Sequence, residues 1–173
     1  MMKDKTNTPD ELLDLVDKDN RIIGETTKGE ANKNPSLVHR EIAIFIIDKN
    51  KRLLFHQRSR KKTVSPLTWI CSVAGHISKG MNSKEAAHKE LIEELGFDTE
   101  LTFIEKKLHI YPFEAHFCYW YLGKYKGEKI NPYKAEIEQI AFLTSKELEQ
   151  IQAKGAVFNS YCLMMANEIW RKR

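Results

Sequence analysis

The sequence predicts an α/β chain of the α+β type, in which a mixed β-sheet lies between helices and is preceded by a β-hairpin. Residues 42–47 form a continuous apolar run bounded by charged residues, which is typical of a strand buried on both faces. Residues 12–16 and 21–24 flank the polar turn 17–20, and this pattern predicts the hairpin. Residues 158–171 have amphipathic helical spacing and predict a closing helix.

The other elements are predicted from the same kinds of pattern, in chain order. The polar residues 28–34 predict a short helix or a loop. Further strands are predicted at residues 52–57, 73–76, 101–110, 116–123 and 137–143. Two further helices are predicted, one between a cap at Ser83 and a stop at Gly96 and one at residues 145–153.

Size and composition narrow the class of protein. The 173 residues fit one domain, which we expect at residues 11–173 after a flexible N-terminus at residues 1–10. The net charge of +4 favours anionic ligands without singling out nucleic acid, so no nucleic-acid partner is expected. Three widely spaced cysteines, Cys71, Cys118 and Cys162, without a CxxC motif indicate a reducing, cytoplasmic location. Neither a signal peptide nor a membrane span is expected.

Three glutamates suggest a metal site on the helix at residues 83–95. Glu90, Glu93 and Glu94 are spaced i, i+3 and i+4, which places their carboxylates on one side of the helix. Three like charges near a helix C-terminus repel each other, and a bound Mg²⁺ or Mn²⁺ would remove that penalty. The alternative is a solvated acidic face.

The residues around these glutamates form a recognisable frame. Residues 73–76 predict a short strand that enters a loop, and Gly80 suits a turn at positive φ. Ser83 is the expected N-cap of the helix, and Gly96 is its expected C-terminal stop.

This frame resembles the signature of the Nudix family, which is Gly, five residues, Glu, seven residues, and then Arg-Glu-hydrophobic-x-Glu-Glu-x-Gly-hydrophobic. The matching positions are Gly75, Glu90, Leu91, Glu93, Glu94, Gly96 and Phe97. The sequence departs from the signature at Met81, which replaces Glu, and at Lys89, which replaces Arg. Because those positions commonly form an ion pair in the family, Glu85 is an alternative partner for Lys89.

The resemblance implies a metal-dependent reaction on a small organic diphosphate, nucleoside or isoprenoid-like, as the small-molecule partner. Glu90, Glu93 and Glu94 would be the catalytic, metal-holding residues, with a backbone carbonyl at Gly75 or Ala74. Glu93 is our first choice for the base that activates water.

Beyond the signature, the chain is similar to type I isopentenyl-diphosphate isomerases, a branch of the Nudix fold. The similar segments are residues 38–39, 58–62, 66–69, 72–76 and 158–166. The similarity implies that Lys28, Arg58 and Lys62 hold the diphosphate. For the basic loop the alternative is a solvated turn. Trp69 and Tyr161 are candidates to contact the group attached to the diphosphate, and otherwise belong to the core.

The same similarity implies a second site for a metal or for substrate. His39, His76, Glu114 and His116 stand at or beside positions where the isomerases hold a metal, whereas Asn32 replaces a histidine. Imidazole and carboxylate ligands suit Zn²⁺ or Mn²⁺. The alternative is a hydrogen-bonded structural cluster.

Two replacements favour hydrolysis over isomerisation. Ala74 stands where the isomerases have an acid/base cysteine, and His116 stands where they have the acidic partner. Cys71 lies three residues from Ala74, and an odd offset along a strand points to the opposite face, so Cys71 is expected in the core. An isomerase-like enzyme and a weakened binding module are the alternatives, the latter because of Met81 and Lys89. Monomer and homodimer remain open.

Overall fold

The computed structural model describes residues 8–172, and its first element is the predicted hairpin. Strands β1 (Leu12–Val16) and β2 (Ile22–Thr27) pair antiparallel, which confirms the prediction. The Asp17 carboxylate closes the turn by accepting hydrogen bonds from the backbone N–H groups of Asp19 and Arg21, at 2.8 and 2.9 Å. Most of the predicted flexible N-terminus, residues 1–7, lies outside the described residues.

The rest of the chain contributes seven more strands and four helices among the described residues. The strands are β3 (His39–Ile47), β4 (Leu53–Arg58), β5 (Trp69–Ile70), β6 (Val73–His76), β7 (Leu101–Ile110), β8 (Ala115–Lys124) and β9 (Ile137–Leu143). The helices are α1 (Lys28–Ala31), α2 (Ser83–Leu95), α3 (Ser145–Ala153) and α4 (Ser160–Arg171). Within residues 8–172, no helix is long and apolar enough to cross a bilayer.

The main sheet is mixed, as predicted. Five strands follow the order β5-β4-β3-β8-β7, while β6 pairs with β3 and β9 pairs with β4. Strands β3 and β8 run parallel over nine residue pairs, from His39 opposite His116 to Ile47 opposite Lys124. The other neighbouring pairs are antiparallel.

Helices cover both faces of this sheet because side chains along β3 alternate between the faces. Phe45 and Ile47 belong to the apolar cluster that includes Leu148 of α3 and Met165 of α4. Ile44, which directly precedes Phe45, belongs instead to the cluster that includes the buried apolar residues of α2. The predicted two-faced burial of residues 42–47 is confirmed, and so is the sheet between helices.

Helix α2 forms as predicted, except for its cap. Its N-cap is Asn82, whose side chain accepts a hydrogen bond from the Glu85 N–H at 2.9 Å, so the expectation of Ser83 was wrong by one residue. The Ser83 hydroxyl instead lies 2.7 Å from the Tyr121 hydroxyl. Gly80 and Gly96 have φ values of 76° and 78°, as expected for the turn and the stop.

Two further details differ from the expectations. The short strand β5 was not predicted, and α4 begins at Ser160 rather than at residue 158. Strand β5 forms because Trp69 and Ile70 pair with Gln57 and His56 of β4. The later start of α4 has another cause: Trp69 and Phe158 form an isolated parallel bridge, with the Asn159 N–H donating to the Trp69 carbonyl at 2.9 Å. Phe158 is therefore extended, and the Asn159 side chain caps α4.

Replacing the cap tests the correction in α2. Asn82→Ala removes an acceptor for an orphan N–H group, so we expect the free energy of unfolding to fall by about 1 kcal/mol. Lys84→Ala, at an exposed position of the same turn, is the control and leaves stability nearly unchanged. Urea denaturation followed by circular dichroism measures both. Equal stability of Asn82→Ala and wild type would contradict the assignment.

Candidate active site and histidine cluster

Helix α2 packs its glutamates directly against β6. A Cβ atom placed on Gly75 would lie 2.8 Å from both Cγ and Cδ of Glu90. That distance is too short for any side chain, so position 75 requires glycine if Glu90 is to keep its place. Gly75 and Glu90, which the sequence predicts to be in one site, are therefore in contact.

Glu94 is the most buried member of the glutamate group. It is 8% exposed, and its Oε2 atom finds no hydrogen-bond partner within residues 8–172. Burial, followed by the charges of Glu90 and Glu136, raises the pKa of Glu94 well above its usual value, while Lys62 and Arg58 oppose the shift. Burial also raises the pKa of Glu90. Two carboxylates with raised pKa values, one of them unpartnered, fit the oxygen donor set of a divalent cation.

The carboxylate oxygens of Glu90, Glu93 and Glu94 do not converge on one point in this structure. Among the described residues, the groups of three or more His, Cys, Asp or Glu side chains with all ligand atoms within 4.8 Å both contain histidine. An ion shared by Glu90, Glu93 and Glu94 therefore requires at least one of these side chains to change rotamer. Glu93 has the most room to move, since 31% of its side chain is exposed compared with 16% for Glu90.

The two departures from the signature are accommodated locally. Met81 packs against the apolar cluster beneath α2, where it replaces a charge by apolar contact. The Lys89 ammonium lies 3.4 Å from Glu90 and 4.0 Å from Glu93. Glu85, the alternative partner, instead accepts the Asn82 N–H at 3.4 Å and completes the cap of α2.

The charges of the three predicted basic residues act on the glutamates of α2. Arg58 donates to the Val64 carbonyl through Nη2 at 3.1 Å, and Lys62 donates to Glu136 at 2.6 Å. The Lys28 ammonium lies 3.6 Å from Glu11, and its charge also acts on the pKa of Glu90, against the larger effect of burial. All three cations are therefore held by internal partners near the glutamates. Glu136, which sequence reasoning missed, is one of these partners.

A cavity of about 140 Å³ opens beside Arg58. Its lining includes Arg58, Ala74 and Tyr161, so the predicted contact residue Tyr161 faces it. The Tyr161 ring stacks on His109 with centroids 3.8 Å apart. Trp69 does not line this cavity; it is 7% exposed and stacks on Phe158 in the core.

The predicted histidine site forms around a carboxylate that sequence reasoning missed. Glu41 Oε1 lies 3.1 Å from His76 Nε2 and 3.4 Å from His39 Nε2, and Glu41 Oε2 lies 3.4 Å from His116 Nε2. His39, Glu41, Glu114 and His116 form one of the groups with metal-ligand spacing, whereas His76 stands outside that group of four. His76 Nε2 also lies 2.9 Å from Asn32 Oδ1.

Strand register produces this cluster. Glu41 of β3 pairs with His76 of β6, and His39 of β3 pairs with His116 of the parallel strand β8. Because residues i and i+2 of a strand share a face, His39 and Glu41 point the same way. The signal in the sequence was a carboxylate two residues after His39, directly before an apolar run.

Burial and the Glu41 charge shift the pKa values of the side chains in this cluster in different directions. It lowers the pKa of His76 to about 3, despite the nearby Glu41 charge. For His39 the Glu41 hydrogen bond and charge outweigh burial, and they raise the pKa. Burial, followed by the Glu41 charge, raises the pKa of Glu114 to about 7. The cluster thus combines an ionised Glu41 and a neutral His76 near neutral pH, while the shift in the pKa of His39 favours its charged form.

Comparison with known proteins identifies the family. The family model described as NUDIX domain matches residues 37–164, which is most of the chain. The chain belongs to the Nudix family. The resemblance inferred from the sequence is confirmed.

Similar proteins fall into two groups by name. The chain is 31% identical over 147 residues to an uncharacterized Nudix hydrolase of Listeria monocytogenes, covering 84% of this chain and 86% of that protein. It is 32% identical over 150 residues to the isopentenyl-diphosphate Delta-isomerase of Streptomyces avermitilis, covering 83% and 76%. The crystal structure of a Deinococcus radiodurans protein superposes with a TM-score of 0.75 at 20% identity, covering 93% and 98%, and this likeness shows the fold.

Because Glu94 Oε2 has no hydrogen-bond partner among the described residues, we predict how the stability of the metal-free protein depends on pH. Because its folded-state pKa is raised, Glu94 holds its proton more tightly when folded, and its contribution to stability falls as pH rises above 4.5. Glu94→Gln removes that loss, so at pH 8 we expect the variant to be more stable than wild type by about 1–3 kcal/mol. Urea denaturation between pH 4 and pH 8, a range chosen to span the ordinary carboxyl pKa values, measures the difference.

The control for this comparison is Glu149→Gln, at an exposed position of α3. It should leave the pH dependence of wild type unchanged. A Glu94→Gln variant that loses stability in parallel with wild type as pH rises would show that Glu94 is satisfied in the folded protein.

Proposed function

We propose that this Nudix protein hydrolyses a small organic diphosphate, nucleoside or isoprenoid-like, with a divalent metal ion held by α2. The observation that carries the proposal is Glu94, a buried carboxylate with an unpartnered oxygen beside the carboxylate of Glu90. Such an arrangement is costly unless a cation or a proton neutralises it. The nearby charges of Arg58 and Lys62 suit a phosphate-containing ligand at the same place.

The residues that would hold the ion are Glu90, Glu93 and Glu94, with the carbonyl of Gly75. Oxygen ligands of this kind suit Mg²⁺ or Mn²⁺. When bound, such an ion lowers the pKa of a bound water and offsets negative charge on phosphate oxygens. The close contact of Gly75 with Glu90 supports the inclusion of the Gly75 backbone in this set.

Glu93 is the residue proposed to take the proton from the attacking water. Its side chain is 31% exposed, whereas that of Glu90 is 16% exposed and Glu94 is buried, so Glu93 has the best access to solvent. A general base must lie within hydrogen-bond reach of the proton that it removes. On α2 it lies in the last turn, two residues before Leu95 and on the same side as Glu90.

Arg58, Lys62 and Lys28 are proposed to bind the phosphates. Each exchanges an internal partner for substrate: Arg58 leaves the Val64 carbonyl, and Lys62 leaves Glu136. These internal contacts keep the cations near the site before substrate arrives. The cavity beside Arg58 would then receive the group attached to the diphosphate, with Tyr161 on its wall.

Isomerisation of isopentenyl diphosphate is the second candidate, favoured by the histidine cluster and by relatives that carry that name. Its proton shuttle needs an acid and a base on opposite sides of a double bond. Ala74 offers neither, and the Cys71 thiol is buried and donates to the Val73 carbonyl at 3.2 Å. Deuterium exchange into isopentenyl diphosphate tests this candidate.

An assay with a panel of substrates tests hydrolysis. The protein is incubated with Mg²⁺ or Mn²⁺ and with nucleoside diphosphates, nucleotide sugars, dinucleotides and isopentenyl diphosphate, and products are followed by phosphorus NMR. We expect Glu93→Gln to reduce kcat on the best substrate by about 10²–10⁴-fold, because it removes the base. Glu94→Gln should be similarly impaired, whereas Glu149→Gln should match wild type. Full activity of both site variants would contradict the proposed centre.

The basic loop offers a second test with a matched pair. Arg58 lines the cavity, whereas Arg60 points away and pairs with Glu138 at 2.6 Å. Arg58→Ala should lower kcat/KM by about 10²–10³-fold, since a charge that offsets the transition state is lost. Arg60→Ala should leave kcat/KM close to wild type. Equal losses in the two variants would mean that the loop acts only through its overall charge.

A further inference from the structure

We propose that His109, His116 and Cys118 form a second metal site, for a borderline or soft divalent transition metal such as Zn²⁺ or Co²⁺. The ligand atoms of these three side chains all lie within 4.8 Å of one another. Two imidazoles and a thiol favour such metals over Mg²⁺. The site is separate from the glutamates of α2 and does not depend on the proposed hydrolysis.

Strand pairing brings the three side chains together. His109 of β7 is the direct antiparallel partner of His116 of β8. Cys118 follows two residues after His116, so it shares the same face of the sheet. That face looks toward α4, and all three residues line the cavity beside Arg58. The backbone therefore holds the ligands in position without any metal.

His116 carries the observation that points to a ligand. The residue is 4% exposed, and its Nδ1 atom has no hydrogen-bond partner in the described part of the chain. Its other ring nitrogen, Nε2, lies 3.4 Å from Glu41 Oε2. A histidine that binds a metal usually donates its second N–H to a carboxylate, and this geometry leaves Nδ1 free to coordinate.

His109 is held in place by its neighbours. It is 2% exposed and stacked on Tyr161, so its ring is fixed in position before any metal binds. The Trp120 indole N–H donates to His109 Nε2 at 3.4 Å. A hydrogen bond of that length is weak and can be exchanged for a metal–nitrogen bond.

Cys118 supplies the sulfur ligand and distinguishes this site from the neighbouring oxygen-rich group. The residue is 3% exposed, and burial raises the pKa of its thiol. On binding, the metal–sulfur bond forms as the S–H proton leaves for solvent. The cavity has room for a water as the fourth ligand. The group of His39, Glu41, Glu114 and His116 contains no sulfur, so a thiolate signal reports only the proposed site.

Titration of the reduced, full-length protein with Co²⁺ alone tests the proposal by absorption spectroscopy. We expect wild type to develop a thiolate-to-cobalt charge-transfer band that saturates when one ion is bound at this site, whatever the glutamates of α2 bind without such a band. Cys118→Ser should lose that band. Cys162→Ser is the matched control, because Cys162 lines the same cavity outside the group of three, and it should keep the band. A wild type without the band, or a Cys118→Ser variant that retains it, overturns the proposal.

His109→Phe provides a second variant if Cys118→Ser does not fold, as judged by circular dichroism. Phenylalanine preserves the stacking on Tyr161 and removes both ring nitrogens. We expect the affinity for Co²⁺ to fall at least about 10-fold, by analogy with changes to groups that support metal ligands. An unchanged affinity in this variant overturns the role of His109 and with it the three-ligand site.

Discussion

The alternation of side chains along β3 is the constraint on which the rest of the structure depends. Strand β3 has neighbours on both edges and helices over both faces, so each residue has one allowed direction. Ile42, Ile44 and Ile46 pack toward α2 and support the helix that carries the glutamates. Glu41 joins the histidines, in register with His76. A shift of one residue would destroy both arrangements together.

Two carboxylates, Glu41 and Glu94, have pKa values that are shifted in opposite directions. Glu41 lies among three imidazoles, and although burial opposes ionisation, the interactions with His116, His76 and His39 keep its pKa well below its usual value. Glu94 has a carboxylate neighbour and an unpartnered oxygen, and burial raises its pKa. The imidazoles around Glu41 compensate its charge within the folded chain. The charge of Glu94 has to be compensated by a proton or a bound cation, and this is the physical reason for proposing that the reaction takes place at α2.

The charge of Arg58 acts both on the glutamates of α2 and on the histidine cluster. Its charge opposes the raised pKa values of both Glu94 and Glu114, for which burial is the larger cause. It also lines the cavity that His109 and Cys118 line. In the proposed function, Arg58 would therefore act on both the phosphates and the attached group.

The sequence by itself determined the hairpin, the two-faced strand, α2 and the Nudix signature, because these depend on local spacing. The exact cap of α2 was missed by one residue, since Asn82 and Ser83 are both good caps. Only the tertiary structure decided that Glu41 stands among the histidines, that Glu136 holds Lys62 and that His109 meets Cys118. These residues are far apart in sequence or lie on different strands, and strand register, which local patterns do not specify, brings them together.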